Sequence, residues 1–292
     1  MMKLSMLKLL MIASLLSTSI YANTSLDDKL LDYEQKRVGS ILKRQGIDLG
    51  DVTIALKKQL PQQGWYGYAF NLSFEVKGKK INQKDFLFSN GELIAPDLIN
   101  FTTKRSMKNV MYPTLSKKFF SKDHLIAGNP NAKHTLVIFS DPLCPICVDE
   151  VPGIMKKIID NPKNIALYYY HMPLAMHPTA KTLAIASMIA RDMGIKDVDY
   201  TLYKLNAKYF YGEDKDKLYD PYTERDNQKA LDYFNKHFKT NITMAQINDP
   251  KYAAIVQHDE DMAEDAFVQG TPTIFFDGEV DKRRDKFEQF LK

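Results

Sequence analysis

The sequence predicts an α/β protein built from two units, a small helix-plus-sheet unit followed by a larger unit of alternating strands and helices. The chain has 292 residues, which is too many for one small domain. Its first third shows one helical pattern followed by strand-like runs, whereas its second half alternates strands with helices. The hydrophobic pattern therefore places an α+β unit before an α/β unit.

The first unit, residues 23–100, begins with a helix and continues as an antiparallel sheet. Apolar residues recur at helical spacing from Leu26 to Gln45, and Gly46 ends the pattern. Strand-like runs follow at Val52 to Leu60, Tyr66 to Val76 and Lys79 to Phe88. Alternate residues of the middle run are apolar, which is typical of a strand with one buried face. This unit carries no catalytic constellation of residues.

Residues 101–128 connect the two units. The stretch from Thr102 to Lys122 is rich in Lys, Ser and Thr, a composition typical of a linker. We expect this linker to be partly helical.

The second unit, residues 129–292, is predicted to have an α/β layout. Its predicted elements are a strand from Thr135 to Ser140, a helix to about Ile159, strands from Ile165 to Tyr170 and from Thr273 to Phe276, and a last helix from Arg283 to Leu291. Residues 178–267 are too many for a simple connection. Their apolar spacing predicts an inserted subdomain of helices.

The start of the chain has the pattern of a secretory signal peptide. Lys3 and Lys8 form a basic start, the stretch from Leu9 to Ile20 is apolar or small, and a cleavage point follows Ala22. A membrane anchor is the alternative, but the apolar stretch is shorter than the ~20 residues that a bilayer span needs. We therefore expect residues 1–22 to be removed and the mature chain to be periplasmic, in an oxidising compartment where disulfides persist.

The charge balance excludes one class of partner and the motifs exclude one class of cofactor. The formal net charge is +4, and it falls to +2 without the two lysines of the signal. Such a near-neutral chain is not expected to bind nucleic acid. A nucleotide cofactor is not expected either, because the sequence has no Gly-rich phosphate loop.

The two cysteines of the chain, Cys144 and Cys147, form a single C-x-x-C motif between a strand and a helix. An exported protein that used cysteines for stability would scatter several pairs over its loops. A structural zinc site needs four ligands, and no histidine lies near the motif in sequence. An inert disulfide here would close a loop too short to restrain the unfolded chain. The motif is therefore interpreted as a redox-active dithiol, with no metal and no other cofactor.

Position in the helix predicts different roles for the two thiols. Cys144 at the helix start lies near unpaired amides and the positive end of the helix dipole, which favour a thiolate. Cys144 is therefore the predicted nucleophile, and Cys147, one turn into the helix, is the predicted resolving thiol. A thiol at such a place titrates at roughly 3.5 to 7.5 instead of ~8.5.

The residues between and around the cysteines tune this pKa. Pro145 suits the first helical turn because its missing N–H would have no helical partner. Ile146 offers neither charge nor hydrogen bond to a thiolate, whereas a histidine there could stabilise it. The acidic residues Asp141, Asp149 and Glu150 would oppose the thiolate if they faced it. We expect a moderately lowered pKa for Cys144, with no metal ligand involved.

The chain resembles the thioredoxin-fold family, and within it the periplasmic thiol:disulfide interchange proteins. The resemblance rests on Phe139-Ser140-Asp141-Pro142-Leu143-Cys144-Pro145-Ile146-Cys147, on Pro152 in the following helix, and on Thr271-Pro272 before the last strand. It implies that Pro272 follows a cis peptide bond opposite the cysteines. It also implies that the backbone of Thr271 pairs with the substrate peptide.

The layout is most similar to the DsbC and DsbG branch, and the motif to DsbG. That resemblance implies a small N-terminal α+β (cystatin-like) dimerisation domain, a linker helix, and a thioredoxin-like domain with a helical insertion. Ile146 departs from the tyrosine common at this position in the branch. His171 and His177 lie where the inserted helices begin, and capping or packing is the favoured interpretation for both.

These features predict a homodimeric periplasmic thiol:disulfide oxidoreductase that exchanges disulfides of exported proteins. Isomerase or reductase work is favoured over oxidase work. The first direction requires a DsbD-like membrane reductant as partner, and the second a DsbB-like membrane oxidant. A chaperone or holdase dimer that binds unfolded exported proteins is the alternative from another class.

Overall fold

The computed structural model describes residues 25–76, 78–210, 220 and 223–291. The predicted signal peptide, residues 1–22, lies outside the described residues. Within the described ranges, every helix is too short or too polar to cross a membrane.

The first unit is one helix on an antiparallel sheet, as predicted. Its elements are α1 Leu26–Lys43, β1 Leu49–Gln59, β2 Tyr66–Val76, β3 Lys79–Ser89 and β4 Ile94–Ala95. The strands lie in the order β1-β2-β3-β4. Ser25 and Asp28 form a capping box that satisfies free amides at the start of α1. The expected helix and strands are confirmed to within about three residues at their ends.

The middle strand β2 is buried on both faces, whereas the alternation of its residues predicted one buried face. The helix covers one face, where the core contains Leu30, Val38, Tyr68, Phe70, Leu72 and Leu87. The other face packs against the linker and the second unit, through Leu60, Ala69, Phe86, Phe88, Met107 and Met111. Phe267, from the second unit, packs against the same cluster. The two units are therefore in direct contact.

The linker differs from the expected linker helix. Between residues 101 and 124, all of which are described, it contains short 3-10 helices at Met107–Met111, Lys117–Phe119 and Lys122–His124, and no α-helix. Pro113 explains part of the difference, because a proline disfavours the helical region for the residue before it. Tyr112 is accordingly extended, at φ −66° and ψ 140°. The last residues of the expected linker form β5 Leu125–Gly128, a strand of the second sheet.

The second unit is built on a five-stranded mixed sheet. Its other strands are β6 His134–Ser140, β7 Ile165–His171, β8 Thr273–Phe276 and β9 Glu279–Val280. The order is β5-β7-β6-β8-β9, with β6 and β7 parallel and the other pairs antiparallel. Helix α2 Pro145–Asp160 connects the two parallel strands. The predicted α/β layout is confirmed.

The inserted subdomain lies between β7 and β8. It contains α3 Ala180–Asp192, α4 Val198–Phe210, α5 Asn227–Phe238, α6 Met244–Ile247 and α7 Pro250–Asp265. The predicted last helix is wrong, because the segment forms only a 3-10 helix at Lys286–Phe290. Arg284 precedes it in the left-handed region, at φ 61°, and interrupts any regular helix there.

Helices cover the two faces of the second sheet differently. Helices α2 and α4 contribute to the core on one face, which includes Cys147, Tyr169 and Tyr203. The linker and α7 contribute to the core on the other face, which includes Phe119, Tyr170 and Met262. Because side chains alternate along a strand, Tyr169 and Tyr170 of β7 lie on opposite faces. The cysteine motif follows the carboxyl end of β6, on the α2 side.

Candidate active site

Cys144 and Cys147 lie at the start of α2, as the motif predicts. Cys144 is the N-cap residue and Pro145 occupies the first turn. The amide of Val148 donates to the carbonyl of Cys144 at 2.9 Å, which closes the first helical turn around the pair. Both cysteines are free thiols, Cys144 6% exposed and Cys147 fully buried. Cys144 is therefore the more accessible of the two cysteines.

A buried turn fixes the approach to Cys144. Oδ1 of Asp141 accepts a hydrogen bond from the amide of Leu143 at 2.7 Å, and the carbonyl of Asp141 accepts one from the amide of Cys144 at 3.2 Å. Nδ2 of Asn206, on α4, donates to the carbonyl of Pro142 at 2.8 Å. Aspartate is well suited to this position because its short carboxylate can bond backbone amides one and two residues ahead. The turn sets where the first thiol emerges.

The pKa of Cys144 is lowered to about 5. The largest cause is a hydrogen bond from the thiol of Cys147, and it outweighs the opposing effect of burial. A hydrogen bond with Thr271 and the amides of Cys147 and Ile146 lower the pKa further. Amides at a helix start favour an anion, as the sequence predicts. Cys144 is a thiolate at neutral pH, with the moderate acidity that the sequence indicated.

The pKa of Cys147 is strongly raised. Burial is the main cause, and the nearby Cys144 raises it further because two thiolates would repel each other. Cys147 therefore remains protonated while Cys144 is ionised. This division of roles is the one predicted for a nucleophile and a resolving thiol.

Thr271 and Pro272 lie directly against the first thiol, although 127 residues separate Thr271 from Cys144. Sγ of Cys144 lies 3.4 Å from the carbonyl oxygen of Thr271, to which it donates a hydrogen bond when it is protonated. The peptide bond between Thr271 and Pro272 is cis, as the resemblance implied. The hydroxyl of Thr271 is buried and has no hydrogen-bond partner among the described residues. The structure thus brings both predicted substrate-binding residues to the dithiol.

His177 joins the site through Asp141. Oδ2 of Asp141 accepts hydrogen bonds from Nδ1 of His177 at 2.8 Å and from the amide of Leu174 at 2.7 Å. The pKa of His177 is raised, first by this hydrogen bond and also by the charge of the Cys144 thiolate. The charged form of His177 is therefore favoured by its neighbours Asp141 and Cys144.

Two of the three acidic residues near the motif, Asp141 and Glu150, have partners other than the thiolate. The carboxylate of Asp141 faces amides and His177, while Glu150 forms an ion pair with Arg284. Two exposed apolar side chains belong to the segments that form the site. Ile146, between the cysteines, is 51% exposed, and Met176, next to His177, is 74% exposed.

Among the described residues, no group of three or more His, Cys, Asp or Glu side chains is placed to hold a metal ion. The dithiol itself is the reactive group of the site.

Comparison with known proteins assigns the fold to a family. The family model described as thioredoxin matches residues 121–292. The chain belongs to the thioredoxin family. The matched residues include the dithiol, His177, and Thr271 with Pro272, so the whole site lies within the thioredoxin-family region.

Individual relatives are distant. The chain is 27% identical over 160 residues to Na⁺/H⁺ antiporter NhaA 3 of Salinispora tropica, and 30% identical over 158 residues to NhaA 1 of Salinispora arenicola. Each alignment covers 54% of this chain, but this chain spans only 22% of the length of either relative. The antiporter names describe those longer proteins.

Three solved structures illustrate the similarity of fold. BdbD of Bacillus subtilis has a TM-score of 0.43 at 22% identity, covering 61% of this chain and 92% of BdbD. A putative protein-disulfide isomerase of Pseudomonas syringae has a TM-score of 0.47 at 13% identity, and the match covers 58% of this chain and 98% of that protein. DsbA2 of Pseudomonas aeruginosa has a TM-score of 0.38 at 17% identity, and the match covers 55% of this chain and 89% of DsbA2. At these TM-scores the similarities carry no weight for function.

The thioredoxin-family site contains residues that sequence reasoning did not assign. The role of Asp141 in holding His177 and the loop amides was missed, as was the contact of Ser140 with the second thiol. One signal was available, because His177 sits beside Pro178 at the start of the insertion. A thioredoxin fold with one acidic and one buried thiol supports thiol:disulfide exchange.

Proposed function

We propose that this thioredoxin-family protein is a thiol:disulfide oxidoreductase that acts on the disulfides of exported proteins in the periplasm. The observation that carries the proposal is the contrast between the two thiols. Cys144 is ionised and slightly exposed, whereas Cys147 is protonated and fully buried one helical turn away. A thiolate is the attacking species in disulfide exchange, and a protected neighbour can later release the bound substrate.

The reaction begins when the Sγ thiolate of Cys144 attacks one sulfur of a substrate disulfide. A bond forms between Cys144 and that sulfur, the substrate disulfide breaks, and the second substrate sulfur leaves as a thiolate that takes up a proton. Cys147, or a substrate thiol, then attacks the mixed disulfide. In the first case two electrons pass from the dithiol to the substrate and a Cys144–Cys147 disulfide remains. In the second case the substrate is isomerised and the dithiol is regenerated.

The surroundings of Cys144 fit a peptide substrate. The backbone of Thr271 is next to the thiol, where an extended peptide can add as a strand. The exposed side chains of Ile146 and Met176 offer apolar contacts to segments that an unfolded protein exposes. A misfolded exported protein presents both an extended backbone and exposed apolar segments.

We propose isomerase or reductase work as the net direction, with a DsbD-like membrane reductant as partner. Oxidase work with a DsbB-like oxidant is the second candidate, and one observation favours it. Lowering the pKa of Cys144 to about 5 stabilises the reduced form, and a more stable reduced form makes the pair more oxidising.

The redox state of the dithiol in cells tests the direction. Cells producing the protein are acidified to quench exchange, and free thiols are alkylated with a mass tag. A mostly reduced pair supports isomerase or reductase work, and a mostly oxidised pair contradicts it in favour of oxidase work. The Cys144→Ala variant is the matched control, because its single thiol cannot form the internal disulfide.

Activity and location are tested separately. The purified protein is expected to reduce insulin disulfides with a thiol donor, and Cys144→Ala is expected to abolish this.

The full chain is expected in the periplasmic fraction, whereas a chain lacking residues 1–22 is expected to remain inside the cell. An equal distribution of both proteins would contradict export by the predicted signal.

The homodimer and the holdase alternative need their own tests. Gel filtration of the mature chain at micromolar concentration is expected to give a dimer, and a monomer contradicts it.

A client protein without cysteines separates holding from exchange. Suppression of its aggregation that survives Cys144→Ala would favour a holdase.

A further inference from the structure

A chain of buried hydroxyl groups begins at the second thiol. Ser140, at the end of β6, lies close enough to Cys147 to lower the pKa of its thiol. Ser140 Oγ lies 2.6 Å from the hydroxyl of Tyr203 on α4, and Tyr203 lies 2.7 Å from the hydroxyl of Tyr169 on β7. All three side chains are at most 1% exposed. They form a continuous line of hydrogen bonds through an otherwise apolar core.

A buried carboxylate lies near the far end of this hydroxyl chain. Asp199 lies one helical turn before Tyr203 on α4, and its charge raises the pKa of Tyr169. Asp199 is 4% exposed, and burial raises its own pKa. Its carboxylate is 3.7 Å from Nε of Arg191, which is partly exposed, and 3.8 Å from Nε2 of His171. The chain thus leads from Cys147 towards a group that can accept a proton.

The other charged groups near the hydroxyl chain are already engaged. Asp141 also acts on Tyr169, but its carboxylate accepts hydrogen bonds from His177 and from two amides. His171 is neutral, since burial and Arg191 lower its pKa to about 3. The thiolate of Cys144 borders Cys147 from the opposite side. Asp199 is therefore the most suitable proton acceptor at the end of the chain.

The reaction requires such a path because the second thiol is buried as an acid. When Cys147 attacks a mixed disulfide, it must lose its proton, and burial makes the free thiolate unfavourable. Hydroxyl groups that both donate and accept can transfer a proton along a line without moving their heavy atoms. A hydroxyl next to the thiol can therefore accept its proton, as bulk water does for an exposed thiol.

We propose that Ser140, Tyr203 and Tyr169 relay the proton of Cys147 towards Asp199 during the resolution step. In that step the bond between Cys144 and the substrate sulfur breaks, and the Cys144–Cys147 bond forms. The substrate sulfur leaves with the electron pair and takes a proton from solvent, while the proton of Cys147 passes to the hydroxyl chain. When the protein is reduced, the same path returns the proton. This inference rests on the proposed thiol:disulfide exchange.

A two-step reaction with the aromatic disulfide dithiobis(nitrobenzoate) separates the two thiols. Attack by Cys144 releases the first coloured thiolate, and attack by Cys147 on the mixed disulfide releases the second. Tyr203→Phe keeps the ring but removes the central hydroxyl. We expect the first phase to be unchanged and the second to slow by about a hundredfold, the lower end of the range for positioned proton transfer.

The pH profile distinguishes a relay from a packing effect. Without the relay, the second phase is expected to accelerate about tenfold per pH unit, as the small population of Cys147 thiolate grows. The wild-type second phase is expected to depend less steeply on pH. Ser140→Ala and Tyr169→Phe are expected to behave like Tyr203→Phe, so the test does not depend on one variant folding.

Tyr170→Phe is the matched control. Tyr170 neighbours Tyr169 on β7, is fully buried, and has a hydroxyl without a hydrogen-bond partner. Its loss should leave both phases unchanged. An unchanged second phase in folded Tyr203→Phe and Ser140→Ala overturns the relay, as does equal slowing in Tyr170→Phe. Because the reagent replaces the natural client, this result is independent of whether the protein acts on exported proteins.

Discussion

Nδ1 of His177 donates a hydrogen bond to Oδ2 of Asp141 at 2.8 Å beside Cys144. The other oxygen of Asp141 holds the amide of Leu143, in the turn that precedes the dithiol. One carboxylate therefore fixes both the emergence of the first thiol and the position of a neighbouring imidazole. Because the pKa of His177 is raised, the imidazole is more often charged than a free histidine at neutral pH.

Removing this imidazole should make Cys144 less acidic. His177→Gln is expected to raise the midpoint of Cys144 alkylation by about one pH unit, because a nearby positive charge stabilises the thiolate. The midpoint is measured from alkylation rates of the reduced protein over a pH range. His258→Gln, at an exposed histidine on α7, is the control and should leave it in place. An unchanged alkylation midpoint in His177→Gln would contradict an electrostatic role and would show that the His177–Asp141 pair only holds the loop in place.

A histidine between the cysteines should make the dithiol more oxidising. Ile146 is half exposed, so Ile146→His can be accommodated without loss of packing. The added charge at the helix start is expected to lower the alkylation midpoint by about one unit and to shift the equilibrium with glutathione about tenfold towards the dithiol. Ile146→Gln separates charge from polarity and should change the equilibrium much less. If Ile146→His and the wild type have the same equilibrium with glutathione, residue 146 does not tune the dithiol.

The stability of the reduced protein should fall as the pH is lowered. The pKa of Cys144 is about 5 in the folded protein against an ordinary value of 9.0, so its contribution is complete above pH 9 and is lost as the pH falls through 5. Urea unfolding under reducing conditions is expected to show a slope of about 1.4 kcal/mol per pH unit between these limits, relative to Cys144→Ser. Parallel curves for the two proteins would mean that the thiol is not acidic.

The contact between the two units should couple their unfolding. The ring of Phe267 packs 6.4 Å from that of Phe86, and Gln269 donates to the carbonyl of Lys84 at 2.7 Å. Phe267→Ala is expected to cost about 2 kcal/mol, below the range for a fully buried ring, and to separate two unfolding transitions. Trp65, the single tryptophan, reports the first unit by fluorescence, while circular dichroism reports the helices of the second. Coincident transitions in Phe267→Ala would contradict the prediction that this contact couples the two units. Phe101→Ala, at an exposed ring, is the control.

Local patterns determined much of the fold. Alternation from Tyr66 to Val76 sets one sheet strand, because side-chain direction alternates within the strand itself. The spacing of Cys144 and Cys147 sets the dithiol, because a helix brings residues three apart to the same face. The expected linker helix and last helix were wrong, since Tyr112 and Arg284 leave the helical region at single residues that a broad periodicity does not detect.

The sequence by itself determined most helices and strands of the two units and the place of Cys144 and Cys147 at a helix start, because these depend on residues within a few positions of one another. Only the tertiary structure decided what surrounds the pair. Thr271 reaches Cys144 across 127 residues, His177 reaches Asp141 across 36, and Tyr203 reaches Ser140 across 63. Such contacts arise from how strands and helices pack, and packing is set by the shape of the whole core.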